Sequence, residues 1–173
     1  MFKSGIGGRI TLKLDDAEKQ VLSQIFEQMD ELLQVTNFDK NADPLARMLN
    51  MDGSTEISDD PALARLFPDG YSQDEHASAD FRRFTEQDLR QAKIYALNDV
   101  RLMLMDSNAK TSVTSVQAQS WLKAINDVRL VLGTRLEITD SSERYNDSQE
   151  DESGMHLYNY LTFLQGTLLD ALT

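Results

Sequence analysis

Apolar residues recur at steps of three and four along most of this 173-residue chain, which is helical spacing. The clearest run is Ser115–Ile138, where Trp121, Ile125, Val128, Leu132 and Leu136 form one stripe. Val116, Leu130, Val131 and Ile138 stand off that stripe, so a helix here is covered on most of its sides. At about 1.5 Å per residue it is roughly 36 Å long, enough to cross a small domain. This is the predicted central helix, and it holds the only tryptophan.

The other elements fall around it. Ser4–Gly8 is glycine-rich, but no strand precedes it and no Gly-Lys-Ser/Thr follows, so it reads as a flexible start and not as a phosphate loop. Gly8–Asp15 alternates Ile10, Leu12 and Leu14 with Arg9, Thr11 and Lys13, a strand period, and Thr111–Thr114 is the best partner for that strand. Asp15 and Glu18 form a capping-box pattern for a helix from Asp16 to about Val35. Residues 37–60 read as a polar connection with one possible helical turn at Pro44–Asn50.

Asp60-Pro61 starts a short helix through Phe67, which ends at the Pro68-Asp69-Gly70 turn. Ala77–Phe84 is expected as a separate short helix, with Thr85 capping the next one, Glu86–Met105. Thr114 with Gln117 caps the central helix. After a loop over Thr139–Ser153, Met155–Leu172 sets Leu157, Leu161, Leu164, Leu168 and Leu172 on one face. The expected fold is all-α: a single domain over 1–173, a bundle of about five to six helices with at most a short N-terminal β element.

Charge sharpens this division. The net charge is −12. Glu27–Asp60 holds nine acids against Lys40 and Arg47, and Thr139–Ser153 holds six against Arg144. Asp80–Glu137 instead carries nine Lys/Arg and seven Asp/Glu. The acid therefore lies in the two connecting segments, 37–60 and 139–153, where runs of like charge are solvated.

Catalytic chemistry finds little to work with. There is no cysteine, so disulfides, thiol catalysis and thiolate metal sites are excluded. His76 and His156 lack the spacing of a zinc site, Asp140–Glu152 lacks that of a calcium loop, and no G-x-S-x-G elbow occurs. No catalytic residue, cofactor or metal is expected. With no apolar signal segment at the start and Met155–Leu172 interrupted by His156, Asn159, Gln165 and Asp170, no membrane partner is expected either, and a cytoplasmic location follows.

Two polar groupings remain. Arg83, Arg90, Lys93 and Arg101 fall on one helical face, a candidate interaction surface that phosphates could meet, although Glu86 shares it and is placed to pair with Arg90. Ala96–Leu104 (ALNDVRLML) is echoed 28 residues later by Ala124–Leu132 (AINDVRLVL), by duplication or by two helices meeting the same packing problem. Asn126, Asp127, Arg129 and Arg135 make a candidate structural polar cluster on the central helix. So close to a core they need partners, with Arg101 and Arg129 expected to reach carboxylates or helix-end carbonyls.

The segments DPALARLFPDGY, FRRFTEQDLRQAK, WLKAINDVRLVLGTRLEIT and YNYLTFLQGTLLDAL closely resemble, in the same order, an actinobacterial family of unknown function. The resemblance implies an all-helical cytoplasmic protein whose gene lies beside that of the ClpS proteolytic adaptor. Some members are labelled oxidative-stress transcriptional regulators switched by a cysteine pair. This chain has no cysteine, so that switch is not available to it.

The reading that follows is a non-enzymatic regulator acting through protein–protein interaction, in transcription or proteolysis. The alternative is a DNA-binding transcriptional regulator using Arg83, Arg90, Lys93 and Arg101, which a net charge of −12 disfavours. Phe163 and Leu169 lie off the main stripe of the last helix. They are either buried in the monomer or part of an exposed patch that makes a homodimer.

Overall fold

The computed structural model describes residues 1–5, 9–34, 59–68, 75–106, 110–138 and 149–173, without the side chains of 75–84 and 149–151. The possible turn at Pro44–Asn50, the Asp69-Gly70 step and the acidic stretch 139–148 lie outside these residues. The described elements are β1 (Phe2–Ser4), β2 (Ile10–Lys13), α1 (Asp16–Gln34), α2 (Pro61–Leu66), α3 (Glu75–Leu104), β3 (Lys110–Val113), α4 (Ser115–Arg135) and α5 (Gln149–Leu172). The fold is mostly α, as the periodicity predicts.

β2 and β3 pair antiparallel, Ile10 opposite Val113 and Leu12 opposite Thr111, joining the two segments singled out by pattern. Of the expected flexible start at Ser4–Gly8 only Ser4 and Gly5 are among the described residues, and Ser4 is in a strand. Phe2–Ser4 adds a third antiparallel strand to the other edge of β2, Phe2 opposite Leu12. Three residues are too few to display a period, so the signal is absent even though Phe2 is buried.

The caps are where the residues place them. Asp15 and Glu18 exchange backbone and side-chain hydrogen bonds at the start of α1, and Thr114 and Gln117 do the same at α4. The Asp60 carboxylate accepts from the Ala62 N–H with Pro61 next in line, starting α2. Thr85 is not a cap: α3 runs unbroken from Glu75, because residues 75–84 contain no glycine or proline to stop it.

Likewise α5 begins at Gln149, inside the segment expected to be loop, with Glu152 in the first turn, the helix end that favours negative charge. α4 stops at Arg135 and not at Ile138. Glu137 takes φ 52°, the Ile138 N–H reaches the Gly133 carbonyl at 2.8 Å, and the Glu137 N–H reaches that of Thr134 at 3.3 Å. That is a Schellman ending with glutamate in the usual place of glycine.

α4 lies at the centre, against α3, α2 and α5, with a smaller contact to α1. Trp121 is fully buried on it, meeting Phe2 of β1 and Phe26 of α1 edge-on at 5.4 and 5.8 Å. One side chain thus ties the sheet and the first helix to the central helix. α5 covers β1, where the Phe2 N–H donates to Thr167 Oγ1, and reaches α1, where the Tyr160 hydroxyl donates to Glu18.

Candidate interaction surface

The basic face of α3 is where the spacing puts it, but it points inward. Arg90 is only 6% exposed. Its guanidinium donates to the Leu33 carbonyl at 2.7 Å, pairs with Glu86 and lies 4.3 Å from the centre of the Phe67 ring. Leu33 stands in the last turn of α1, whose carbonyls lack helical partners, so Arg90 closes that helix end with a cation. Lys93 pairs with Asp127 of α4, and Arg101 pairs with Asp30 of α1 at 3.0 Å. Arg83 lies on α3, with its side chain outside the described residues. Among the described members, the expected stripe serves as the seam between α3 and its neighbours.

The four α4 residues expected as a polar cluster do not meet one another. Asp127 turns to α3 and accepts from Lys93 at 2.7 Å. Burial pushes the Asp127 carboxyl above its ordinary range, and Lys93 and Lys123 draw it only part of the way back. Arg129 turns to α5, donating to Gln165 and to the Tyr158 hydroxyl. Arg135 turns to α2 and pairs with Asp60 at 2.7 Å. Asn126 is exposed. The cluster is therefore a set of separate ties from the central helix to three neighbours. Arg101 reaches a carboxylate as expected, whereas Arg129 reaches an amide oxygen and a phenol.

What faces solvent is different in kind. On the side of α3 away from Arg90, Tyr95 and Leu102 are 71% and 68% exposed, and Met105, one residue past the helix end, is 74% exposed. A step of seven places Tyr95 and Leu102 on one face, with exposed Asn98 between them and exposed Gln91 and Asp88 before them. On α5, Phe163 and Leu169 are 54% and 50% exposed. Spacing gives Phe163 and Leu169 as off-stripe residues, but it offers no sign of the exposed α3 side chains, because periodicity finds the buried side of a helix better than the exposed side.

Among the described residues, no three His, Asp or Glu side chains are grouped to hold a metal ion. A shallow groove of about 150 Å³ between β1 and α5 is lined by Phe2, Lys3, Ser4, Thr167, Asp170 and Ala171. Among the described residues, no helix is long and apolar enough to cross a membrane.

The chain is similar to the oxidative stress regulator AosR of Mycobacterium tuberculosis (strain H37Rv), 28% identical over 178 residues that cover 94% of this chain and 82% of that protein. The AosR relative of Mycobacterium leprae is 31% identical over 134 residues, 69% of this chain, which spans 62% of that protein's length. No solved structure matches. The profile of the domain of unknown function DUF2017 matches residues 1–172, and the chain belongs to that family.

Proposed function

We propose that this protein is a non-enzymatic cytoplasmic regulator that acts by binding a protein partner through the outer face of α3. The observation that carries this reading is the exposure of Tyr95 and Leu102 on one face of α3, with exposed Met105 one residue past its end. Large apolar side chains grouped in water mark contact surfaces. Asp88 at the edge of the face and the net charge of −12 suit a partner with a basic rim, which would be steered in before apolar contact forms.

The names of the AosR relatives support a regulatory role in the response to oxidants. A chain without cysteine does not carry a thiol switch, so the oxidant signal reaches this protein through its partner. DNA binding through the α3 cations would require Arg90, Lys93 and Arg101 to leave Leu33, Asp127 and Asp30, uncovering groups the fold now pairs.

The test is photo-cross-linking in the host from a reactive residue at position 95, with position 119 on α4 as the exposed control. One protein joined from 95 and not from 119, and lost on Leu102→Asp, is the expected result. A sequence-specific gel shift at about 0.15 M salt, a strength that screens weak surface contacts, with no protein joined, would overturn it.

A further inference from the structure

The outer face of α5 differs from the rest of this acidic surface. From Ser153 to Thr173 the only fixed charge is Asp170, in a chain of net charge −12. Phe163 and Leu169 project from that face half-exposed, while Asn159 and Thr162 line it. Between the two apolar side chains lies Gly166, and a Cβ built there meets nothing within 4 Å. The face therefore carries a protrusion and, one turn on, a depression.

We infer that α5 is the homodimer interface, packing antiparallel against α5 of a second copy about a two-fold axis between Phe163 and Gly166. Charge selects this occupant. Two bodies of net −12 repel each other across most of their surface, and the copies approach at least cost where neither presents charge. A basic partner, by contrast, finds almost no acid on this face to pair with. Shape agrees, because a two-fold contact uses the same patch twice and needs a knob and its hole on one surface. Phe163 supplies the knob and Gly166 the hole.

The remaining charge is accommodated by the same symmetry. With the axis midway between residues 163 and 166, Asp170 of each copy comes beside the partner subunit's Asn159, whose amide can donate to it. The two Asp170 carboxylates stand about 16 Å apart along the helix direction, at 1.5 Å per residue. The inference is independent of the α3 face, which lies on another helix.

Sedimentation velocity of the full chain at about 1–100 µM, the range in which modest interfaces populate dimers, is the first measurement. A species of two 19.6 kDa chains is expected. Phe163→Glu and Leu169→Lys should each return it to monomer with an unchanged far-UV spectrum. Tyr95→Glu should leave the dimer intact. Because the chain has no cysteine, Thr162→Cys provides a single attachment point, and a short bis-maleimide should join two copies there but not in a Tyr95→Cys variant. A monomer at the highest concentration would overturn the inference, as would a dimer that survives both α5 variants while folded.

Discussion

Lys93 Nζ sits 2.7 Å from Asp127 Oδ1 across the contact between α3 and α4, with 14% and 8% of the two side chains exposed. Such a pair is an all-or-none arrangement. Removing one partner leaves the other buried and uncompensated, which costs about 3–5 kcal/mol, whereas replacing both by apolar groups is near neutral. Lys93→Ala and Asp127→Ala are each expected to lower unfolding free energy by that amount in urea. The double variant Lys93→Met/Asp127→Leu is expected to recover most of the loss. Equal losses in the single and double variants would show that the pair does not couple the two helices.

The same carboxylate gives a pH dependence of unusual sign. Burial raises Asp127, so the folded state holds its proton above the pH at which the unfolded chain releases it. Stability from this group is fully present below the ordinary carboxylate range and falls as pH rises through the raised value. Asp60 runs the other way. Partial burial alone would raise it, but the Ala62 N–H and Arg135 outweigh burial and hold it below the ordinary range. Its contribution is present above that range and is lost as pH falls through the lowered value. Urea midpoints in a pH series should therefore show a shallower fall above the carboxylate range for Asp127→Asn than for the wild type. Asp60→Ala should cost about 0.5–2 kcal/mol at neutral pH as a lost helix cap, and less in acid.

Glu137 gives a smaller and opposite effect. A non-glycine residue in the left-handed region costs about 1–2 kcal/mol, and glycine regains about 0.4–1 kcal/mol of chain freedom on unfolding. With φ at 52°, Glu137→Gly is expected to stabilise the protein by up to about 1 kcal/mol, read as a higher melting temperature. A lower melting temperature would mean that the glutamate side chain contributes more than its backbone strain removes.

These positions also mark how far the sequence alone can be read. Short-range chemistry was legible: Asp15 with Glu18, Asp60 with Pro61, and Thr114 with Gln117 cap helices through partners two or three residues away. The β2–β3 pairing was legible because alternation at Ile10, Leu12 and Leu14 left a strand in need of a partner. The direction of the α3 cations was not. Helical spacing placed Arg90, Lys93 and Arg101 on a common face, but Leu33, Asp127 and Asp30 lie 57, 34 and 71 residues away along the chain. Only tertiary packing decides whether such a face meets water or other helices. The helix end at Arg135 is not legible for a related reason, since the residue that turns the chain is a glutamate where glycine is the usual signal.

Trp121 offers an internal reporter for the core. It is fully buried, its ring edges meet Phe2 and Phe26, and its indole N–H has no partner among the described residues. Trp121→Ala should cost about 3–5 kcal/mol, the usual range for removing a large aromatic from a core. Native fluorescence should resist acrylamide, and Phe2→Ala should both lower stability and make the indole more accessible, because β1 is part of its cover. Strong quenching of the native wild type would place the tryptophan at the surface and refute the central position of α4.

Arg90 separates the two functional readings. At 6% exposure, with the Leu33 carbonyl, Glu86 and the Phe67 ring around it, Arg90→Glu puts a carboxylate against an acid and an unfilled helix end. Breaking a buried charged contact in this way costs on the order of 3–5 kcal/mol, a large part of the stability of a domain this size. The expected result is a variant with a much lower melting temperature, whatever ligand is present. Arg90→Met keeps the apolar stem over Phe67 and should lose less. If instead Arg90→Glu melts like the wild type and loses retention of a specific DNA, the guanidinium must be available to phosphate. In that case the α3 cations, and not the outer face at Tyr95 and Leu102, are the working surface of the protein.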